Sequence, residues 1–287
     1  MNNYLIVNAY LKTPPFENLK SSLEKAFLSK GEKLIVLTND KAYSLVNSNG
    51  NKQPILFFDK DAVLGALLEK SGYKLINSIN TIEICDDKAK TYAALKGEID
   101  MPETVIAPFT YAGVEYDNYD FLKETEKKIP YPVVVKSSVG SFGCQVALAE
   151  NYDELKEKTQ ELSKFGRVIY QQFIATSKGK DIRVYVIGGR AVALGMRKND
   201  FDFKSNVTSG GKMLKIDDGE YENYKQLAIK AASVVKADFA GVDLLIGDGG
   251  KPVVCEINSN AHFYALSKAS GVDVAEKIAE YYLSLKR

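Results

Sequence analysis

The sequence predicts an α/β unit at the N-terminus, followed by α+β layers that are built on antiparallel sheets. Two observations carry this prediction. Segments with strand and helix patterns alternate up to about residue 84, which is typical of parallel sheets with crossover helices. Beyond residue 131, strand-like segments come in pairs that are joined by short glycine-containing loops, as antiparallel neighbours usually are.

The first unit is predicted from three strand-like segments and two amphipathic ones. YLIVNAY, KLIVLTN and PILFFD are the predicted strands, and FENLKSSLEKAFLSKG and DAVLGALLEKSG are helices that end at a glycine. A third helix is predicted in CDDKAKTYAALKG, where Asp86 or Asp87 can be the N-cap.

The later segments predict hairpins separated by helices. YPVVVKS, CQVALAE and RVIYQQFI are predicted strands, and YDELKEKTQELSKFG is an amphipathic helix. DIRVYVIGGRAVALGMRK is a hairpin that turns at Gly188 and Gly189. A helix, EYENYKQLAIKAASVVKA, precedes a second hairpin, GVDLLIGDGGKPVVCEINSN, and VDVAEKIAEYYLSLKR is a final helix.

Composition and charge exclude several classes of function. Of the 287 residues, 45% are hydrophobic and 26% charged, as in globular proteins. The 38 Lys and Arg nearly balance the 37 Asp and Glu, so we expect neither a nucleic-acid nor a membrane partner. The single histidine, His262, excludes a multi-histidine metal site. Cys85, Cys144 and Cys255 are widely spaced, which predicts reduced thiols in a cytoplasmic protein without a signal peptide.

The second hairpin is predicted to carry two carboxylates on one face. With its turn centred between Gly249 and Gly250, Asp243 lies opposite Glu256, and Asn258 projects on the same side as Glu256. Facing carboxylates in an apolar ribbon repel each other unless a cation neutralises them, and these oxygen ligands suit Mg²⁺. The alternative is a half-exposed hairpin with solvated acids. The other face is predicted to be core and comprises Val242, Leu244, Ile246, Val253, Cys255 and Ile257.

The stretch VVVKSSVGSFGCQVA places Lys136 before two glycines, Gly140 and Gly143. A P-loop has its lysine after the glycines, and a Rossmann fingerprint has G-x-G-x-x-G before a helix. Because CQVALA resumes a strand pattern, we expect a β-hairpin flap with Lys136 at its base. From these residues alone, the hairpin either covers phosphate or is an ordinary hairpin with a surface lysine.

The first long hairpin adds cationic residues. Asp181, Arg183 and Tyr185 share one face, and Arg197 ends the return strand. Arginines can clamp the oxygens of a transferring phosphoryl group. On spacing alone, however, a surface ion pair between Arg197 and Asp181 is the favoured interpretation.

Taken in order, these segments resemble the ATP-grasp superfamily, in particular the RimK-like carboxylate–amine ligases of the alpha-L-glutamate type. The matching segments are DKAKT, PVVVKSSVGSFG, YQQFI, GKDIRVYVIGGRAVALGMRK, FKSNVTSGG and GVDLLIGDGGKPVVCEINSN. The resemblance implies an ATP-grasp fold with the nucleotide between two α+β subdomains. It implies three domains: a parallel α/β pre-ATP-grasp domain at 1–84, a central subdomain with the Gly-rich flap at 85–171, and a C-terminal subdomain with the metal site at 172–287.

The resemblance also implies roles for individual residues. The residues implied to bind ATP are Lys88, Lys136, Gln172, Phe173, Ile174, Asp181 and Lys204. Those implied to hold Mg²⁺, for which Mn²⁺ can substitute, are Asp243, Glu256 and Asn258. Those implied to be catalytic, by offsetting charge on the transferring phosphoryl group, are Arg197 and Lys136.

The implied activity is ATP-dependent formation of an amide bond through an acyl phosphate, with an amino acid such as glutamate as one substrate. The implied partners are ATP and small carboxylate and amine substrates, a peptide or protein terminus among them, and the chain itself in a homo-oligomer. Two other functions remain open: a catalytically silent ATP-binding regulatory protein and an ATP-grasp small-molecule kinase.

Overall fold

The computed structural model describes residues 2–48, 52–111, 113–140, 145–206 and 210–286. Within these ranges the chain forms three sheets, with helices packed against them. Within the same ranges, no helix combines the length and the apolar character that crossing a membrane requires.

The first sheet is parallel and has the strand order β2-β1-β3-β4. Its strands are β1 (Asn3–Val7), β2 (Leu34–Thr38), β3 (Ile55–Phe58) and β4 (Leu75–Ile76). The helices of this part are α1 (Pro14–Ser29), α2 (Asn39–Ala42), α3 (Ala62–Lys70) and α4 (Ile79–Asp86). The predicted parallel α/β unit is therefore confirmed. In α1, Phe16, Leu19, Leu23 and Phe27 are buried, because residues three or four apart share one helical face.

The second sheet is antiparallel and has the order β5-β8-β6-β7. Its strands are β5 (Thr104–Ile106), β6 (Val133–Ser137), β7 (Val146–Ala149) and β8 (Val168–Gln172). The helices of this part are α5 (Lys88–Leu95), α6 (Phe121–Lys128) and α7 (Tyr152–Ser163). Asp87, one of the two predicted caps, accepts the N–H groups of Ala89 and Lys90 and so begins α5.

The third sheet is antiparallel and has the order β11-β10-β9-β12-β13. Its strands are β9 (Lys180–Ile187), β10 (Arg190–Lys198), β11 (Lys212–Leu214), β12 (Phe239–Ile246) and β13 (Pro252–Asn258). The helices of this part are α8 (Glu222–Val234), α9 (Tyr264–Ser270) and α10 (Val274–Ser284). The predicted turn at Gly188 and Gly189 is confirmed, and both residues have the positive φ (+55° and +75°) that such tight turns favour in glycine.

The pairing of β12 with β13 contains a β-bulge that the sequence did not predict. Asp243 lies opposite Glu256, as predicted, but the next pair is Leu244 with Val254. The register near the turn is thus one residue away from the predicted register, and the bulge restores the predicted pair further along.

The bulge also corrects the predicted core face. Val253 and Cys255 were expected in the core, and both expectations are wrong: Val254 is fully buried in the core, whereas Val253 and Cys255 are only partly buried. The extra residue reverses the alternation of side chains between the turn and the bulge. Cys255 therefore projects toward Lys136, with its Sγ 3.6 Å from the Lys136 Nζ.

One hydrophobic core joins the first sheet to the third sheet and the final helices. Phe58, at the end of β3, stacks on Phe239 with ring centroids 5.0 Å apart, and Phe27 of α1 meets Tyr282 of α10 edge-on at 5.2 Å. Asn77 adds hydrogen bonds from its Nδ2 to the carbonyl oxygens of Phe239 and Ser259 (2.8 and 3.0 Å). These contacts fix the carboxyl ends of β1 and β3 beside the end of β13.

Candidate active site

A cavity of about 1170 Å³ is lined by residues of all three sheets. It is larger than the roughly 300–1,000 Å³ of most ligand pockets, so it has room for more than one ligand. Every residue that the resemblance implied to bind nucleotide or metal, or to act in catalysis, borders this cavity. The structure therefore brings these residues together, while their individual roles stay predictions.

Lys136 is held by neighbours that the sequence analysis did not single out. It lies near the end of β6, is only 8% exposed, and donates from Nζ to the Oε1 of Gln171 (2.6 Å). Gln171 in turn donates from Nε2 to Thr104 Oγ1 (3.1 Å). The interpretation of Lys136 as a surface lysine is wrong. A glutamine within the apolar strand RVIYQQFI was the signal that would have identified Gln171.

Lys88 connects the start of the predicted flap to the third sheet. Its Nζ donates to the carbonyl oxygen of Gly140 (2.9 Å) and lies 3.5 Å from Glu256 Oε1. The rest of the predicted flap, including Ser141, Gly143 and Cys144, lies outside the described residues.

The segment after β8 and the polar segment after β10 meet at the wall of the cavity. Phe173 and Phe203 meet edge-on, with ring centroids 6.3 Å apart. The backbone N–H of Gln172 donates to the Glu103 carbonyl oxygen (2.8 Å), which ties this segment to the residue before β5. Lys204 Nζ lies over the Phe203 ring, 5.6 Å from its centroid. An aromatic side chain is thus available to stack on a planar ligand.

Two aspartates and two arginines form a connected network at the centre of the third sheet. Arg183 binds Asp243 through two hydrogen bonds, Nε to Oδ1 (2.6 Å) and Nη2 to Oδ2 (2.7 Å). Arg197 binds Asp181 in the same bidentate way (2.7 and 2.5 Å), and its Nη2 also lies 2.9 Å from Asp243 Oδ2. Arg197 and Asp243 are 6% and 2% exposed, so the expected surface ion pair is in fact a buried one.

Burial and charge act in opposite directions on this network. Burial alone raises the pKa of Asp243, but the charges of Arg183 and Arg197 outweigh it and hold this pKa below its usual value. Burial alone lowers the pKa of Arg197, and Asp181 and Asp243 raise it above its usual value. Both groups are therefore charged at neutral pH.

The predicted carboxylate pair has a neutralising cation, but the structure supplies it as guanidinium groups. Asp243 is almost fully buried, so the alternative of solvated acids is wrong for this residue. Asn258 Nδ2 also donates to Asp243 Oδ2 (3.3 Å). The ion-pair partner of Glu256 is instead Lys88, whose Nζ lies 3.5 Å from the Glu256 Oε1.

The donor set fits a hard divalent cation. The described part of the chain contains no cluster of three or more His, Cys, Asp or Glu side chains that could share a metal ion. The candidate donors are instead two carboxylates and one amide, all oxygen donors of the kind that Mg²⁺ prefers. Glu256 and Asn258 would hold the ion, and Asp243 would share its oxygens between the ion and the two arginines.

The cavity extends to the ends of β1 and β3 and to the segment after β13, where sequence analysis assigned no residue to the site. Asn8, Asp59 and Asn260 border it, as does His262. Asn8 and Asp59 directly follow β1 and β3, and polar residues in that position of a parallel sheet commonly face a ligand. Burial lowers the pKa of His262, so its imidazole is neutral at pH 7.

Comparison with known proteins gives one family model and relatives of known name. The RimK-like ATP-grasp domain model matches residues 85–282. N-acetylaspartylglutamate synthase A of Homo sapiens is 37% identical over 236 residues, which cover 81% of this chain and 58% of that protein. Beta-citrylglutamate synthase B of Mus musculus is 34% identical over 229 residues, covering 79% and 57%.

A solved structure has the same fold over nearly its whole length. The RimK domain ATP-grasp protein of Sphaerobacter thermophilus superposes with a TM-score of 0.72 at 23% identity and covers 97% of this chain and 98% of that chain. The two synthases are longer: the chain spans less than two thirds of either one. The family model covers well over half of the chain, and the network of Asp181, Arg197 and Asp243 lies within it. The chain therefore belongs to the RimK-like ATP-grasp family.

Proposed function

We propose that this protein is an ATP-dependent ligase that joins a carboxylate to an amine, with glutamate as the amine substrate. The observation that carries the proposal is the buried network of Arg183, Arg197, Asp181 and Asp243 at the wall of a cavity that Lys88 and Lys136 also border. The names of both synthases given above contain glutamate as the joined amino acid, which supports the choice of amine.

The reaction has two steps that balance without a protein nucleophile. A carboxylate oxygen of the first substrate attacks the γ-phosphorus of ATP, and ADP leaves with the electron pair of the broken P–O bond. The ammonium group of the second substrate loses one proton to water, and the free electron pair of the resulting amine attacks the carbonyl carbon of the acyl phosphate. Phosphate leaves with the electron pair of the C–O bond, and the nitrogen loses a second proton to water to give the amide.

The residues of this chain would align the substrates and offset charge. Lys136, fixed by Gln171, and Arg197, fixed by two carboxylates, hold positive charge where the phosphoryl group would pass. Mg²⁺, when bound by Asp243, Glu256 and Asn258, would neutralise phosphate oxygens.

The remaining expectations stay proposals. The domain division at residues 84 and 171 is supported by the three sheets, each of which lies within one of the three ranges except for Gln172, the last residue of β8. A cytoplasmic location is supported by Cys85 and Cys255, neither of which is in a disulfide.

Trapping with hydroxylamine tests the reaction. With ATP, Mg²⁺ and a panel of carboxylates that begins with N-acetylaspartate and citrate, we expect ATP-dependent hydroxamate and stoichiometric ADP. The physical reason is that an acyl phosphate is a mixed anhydride, which a small amine readily attacks. Hydroxamate is measured by its colour with ferric ion, and ADP by a coupled assay.

The same experiment separates the other two functions. A small-molecule kinase would release ADP and leave a stable phosphorylated product without hydroxamate. A silent ATP-binding protein would give neither product with any carboxylate of the panel. Either result would contradict the ligase proposal.

Phe173→Ala tests the nucleotide end of the cavity. If adenine stacks on Phe173, its removal should raise the KM for ATP by about 2–10-fold, since such ring contacts contribute roughly 0.5–1.5 kcal/mol beyond their buried area. The kcat should stay near the wild-type value, because the contact is the same in the ground and transition states. Phe201→Ala, which removes a ring that is 98% exposed, is the matched control. An unchanged KM for ATP in Phe173→Ala would place adenine elsewhere.

A further inference from the structure

A second group of polar residues borders the cavity, at the carboxyl ends of two parallel strands. Asn8 directly follows β1 and Asp59 directly follows β3, and these strands are paired neighbours. Asn260 reaches the same place from the segment after β13, and its Nδ2 donates to the Asp59 carbonyl oxygen (3.1 Å). Ligands of open parallel sheets bind beyond the carboxyl ends of the strands.

Asp59 has one carboxylate oxygen with partners and one without. Oδ1 accepts the backbone N–H groups of Lys60 (2.6 Å) and Asp61 (3.0 Å), and Asn8 Nδ2 lies at 3.5 Å. Oδ2 is buried and has no hydrogen-bond partner. The Oδ1 of Asn260 is likewise buried and has no hydrogen-bond partner. The residue as a whole is only 5% exposed. The group therefore has two buried acceptor oxygens, Asp59 Oδ2 and Asn260 Oδ1, to which no donor of the described residues is hydrogen-bonded.

A buried carboxylate in this condition is energetically unfavourable. Leaving a buried acceptor without a donor costs about 1–3 kcal/mol, and more when it is charged. Burial raises the pKa of Asp59 for the same reason, against the hydrogen bonds at its Oδ1. A cationic donor that entered from the cavity would remove this cost, and a primary ammonium group supplies both the charge and the N–H donors.

The position relative to the proposed reaction favours the acceptor substrate. Asn260 is two residues from Asn258, so Asp59 lies close to the place where the acyl phosphate would form. The neighbouring cation, Lys60, is engaged by an ion pair with Asp86. Arg183, Arg197, Lys88 and Lys136 border the cavity on the side of the second and third sheets, where they suit phosphate and carboxylate groups.

We propose that Asp59, with Asn8 and Asn260, binds the ammonium group of the acceptor amine. This inference rests on the proposed ligase function, because that function supplies the amine substrate. N-acetylaspartate and citrate, the carboxylates that the relatives' names contain, carry no ammonium group. The ammonium group that Asp59 binds therefore belongs to glutamate.

Asp59→Asn is the variant that tests the proposal. Asparagine keeps an Oδ1 that can accept from the Lys60 and Asp61 N–H groups, and it removes a buried charge, so the variant should fold and keep at least the wild-type Tm. We expect the KM for L-glutamate to rise about 10–100-fold, since a hydrogen bond to a charged group contributes roughly 1.5–3 kcal/mol. The KM for ATP should not change.

Hydroxylamine separates loss of ammonium binding from general damage. It is uncharged at neutral pH and needs no ionic partner, so Asp59→Asn should form hydroxamate at the wild-type rate. Asp61→Asn is the matched control: it makes the same chemical change two residues away, and asparagine caps α3 as well as aspartate does. Equal losses with glutamate and hydroxylamine, or an unchanged KM for glutamate, would overturn the proposal.

Equilibrium binding keeps this inference testable apart from turnover. By calorimetry with a nonhydrolysable ATP analogue present, the wild type should bind L-glutamate more tightly than glutarate, which lacks the ammonium group, and Asp59→Asn should lose that preference. This result without any ADP release would support the Asp59 site and contradict the ligase function alone. A preference that persists in Asp59→Asn, or is absent from the wild type, would overturn the inference.

Discussion

Glu256→Gln should lower the rate of ADP release by about 10²–10³-fold, the usual cost of removing one group that stabilises transition-state charge. The substitution keeps the shape of the side chain and removes its charge, so a Mg²⁺ ion held at Asn258 and Asp243 would lose its second carboxylate. Glu256 has the Lys88 ammonium 3.5 Å away and keeps about a third of its side chain exposed, so the fold should tolerate the change. Rates should be measured over a Mg²⁺ titration.

Glu256 is a cleaner test of the metal site than Asp243. In Asp243→Asn, Arg183 and Arg197 would both lose a buried charged partner, which costs about 3–5 kcal/mol when one side of a buried pair is removed. A loss of activity in Asp243→Asn could therefore come either from unfolding or from loss of the metal. Glu83→Gln, at a half-exposed glutamate 4.0 Å from Lys90, is the matched control and should keep wild-type activity. Full activity of Glu256→Gln at saturating Mg²⁺ would overturn the assignment of Glu256 as a metal ligand.

Local patterns predicted the elements of this fold, because each depends on neighbours in the sequence. Helical spacing of apolar residues identified α1, and the glycine pair identified the turn between β9 and β10. Local patterns did not predict the register of β12 with β13 correctly near the turn. The centre of the turn lies half a residue from its predicted place, so the pairs next to the turn differ from the predicted pairs. The predicted pair of Asp243 and Glu256 is present because the bulge restores the predicted register beyond it. A bulge leaves no mark in the alternation of Val253, Val254 and Cys255, all of them apolar.

The contacts that determine the site's charge balance are long-range, and spacing could not supply them. Arg183 and Asp243 are 60 residues apart in the chain, and only the pairing of β9 with β12 places them opposite each other. Asp59 meets Asn260 because a shared core fixes the first sheet on the third. The resemblance identified residues within 88–258 that belong together. It did not show that the N-terminal unit contributes to the same cavity.

Arg197→Lys should lower the rate of hydroxamate formation by about 100-fold or more while the protein stays folded. Lysine keeps the positive charge between Asp181 and Asp243, but its single ammonium cannot make the planar bidentate contact that the guanidinium makes with Asp181. The charge would therefore sit in a different place relative to the transferring phosphoryl group, and small displacements of a catalytic charge are costly.

Arg197→Ala should instead lose both stability and hydroxamate formation. It leaves two buried carboxylates without their shared cation, for which we expect a loss of about 3–5 kcal/mol in the free energy of unfolding, seen as a lower urea midpoint. Arg190→Lys makes the conservative change at the exposed first residue of the same strand and should alter neither the midpoint nor the rate. Binding of an ATP analogue shows whether each variant still forms the cavity. The contrary result is an Arg197→Lys protein that binds the analogue, keeps its urea midpoint and still forms hydroxamate at the wild-type rate. That result would mean that Arg197 only links β10 to β9 through Asp181 and takes no part in phosphoryl transfer.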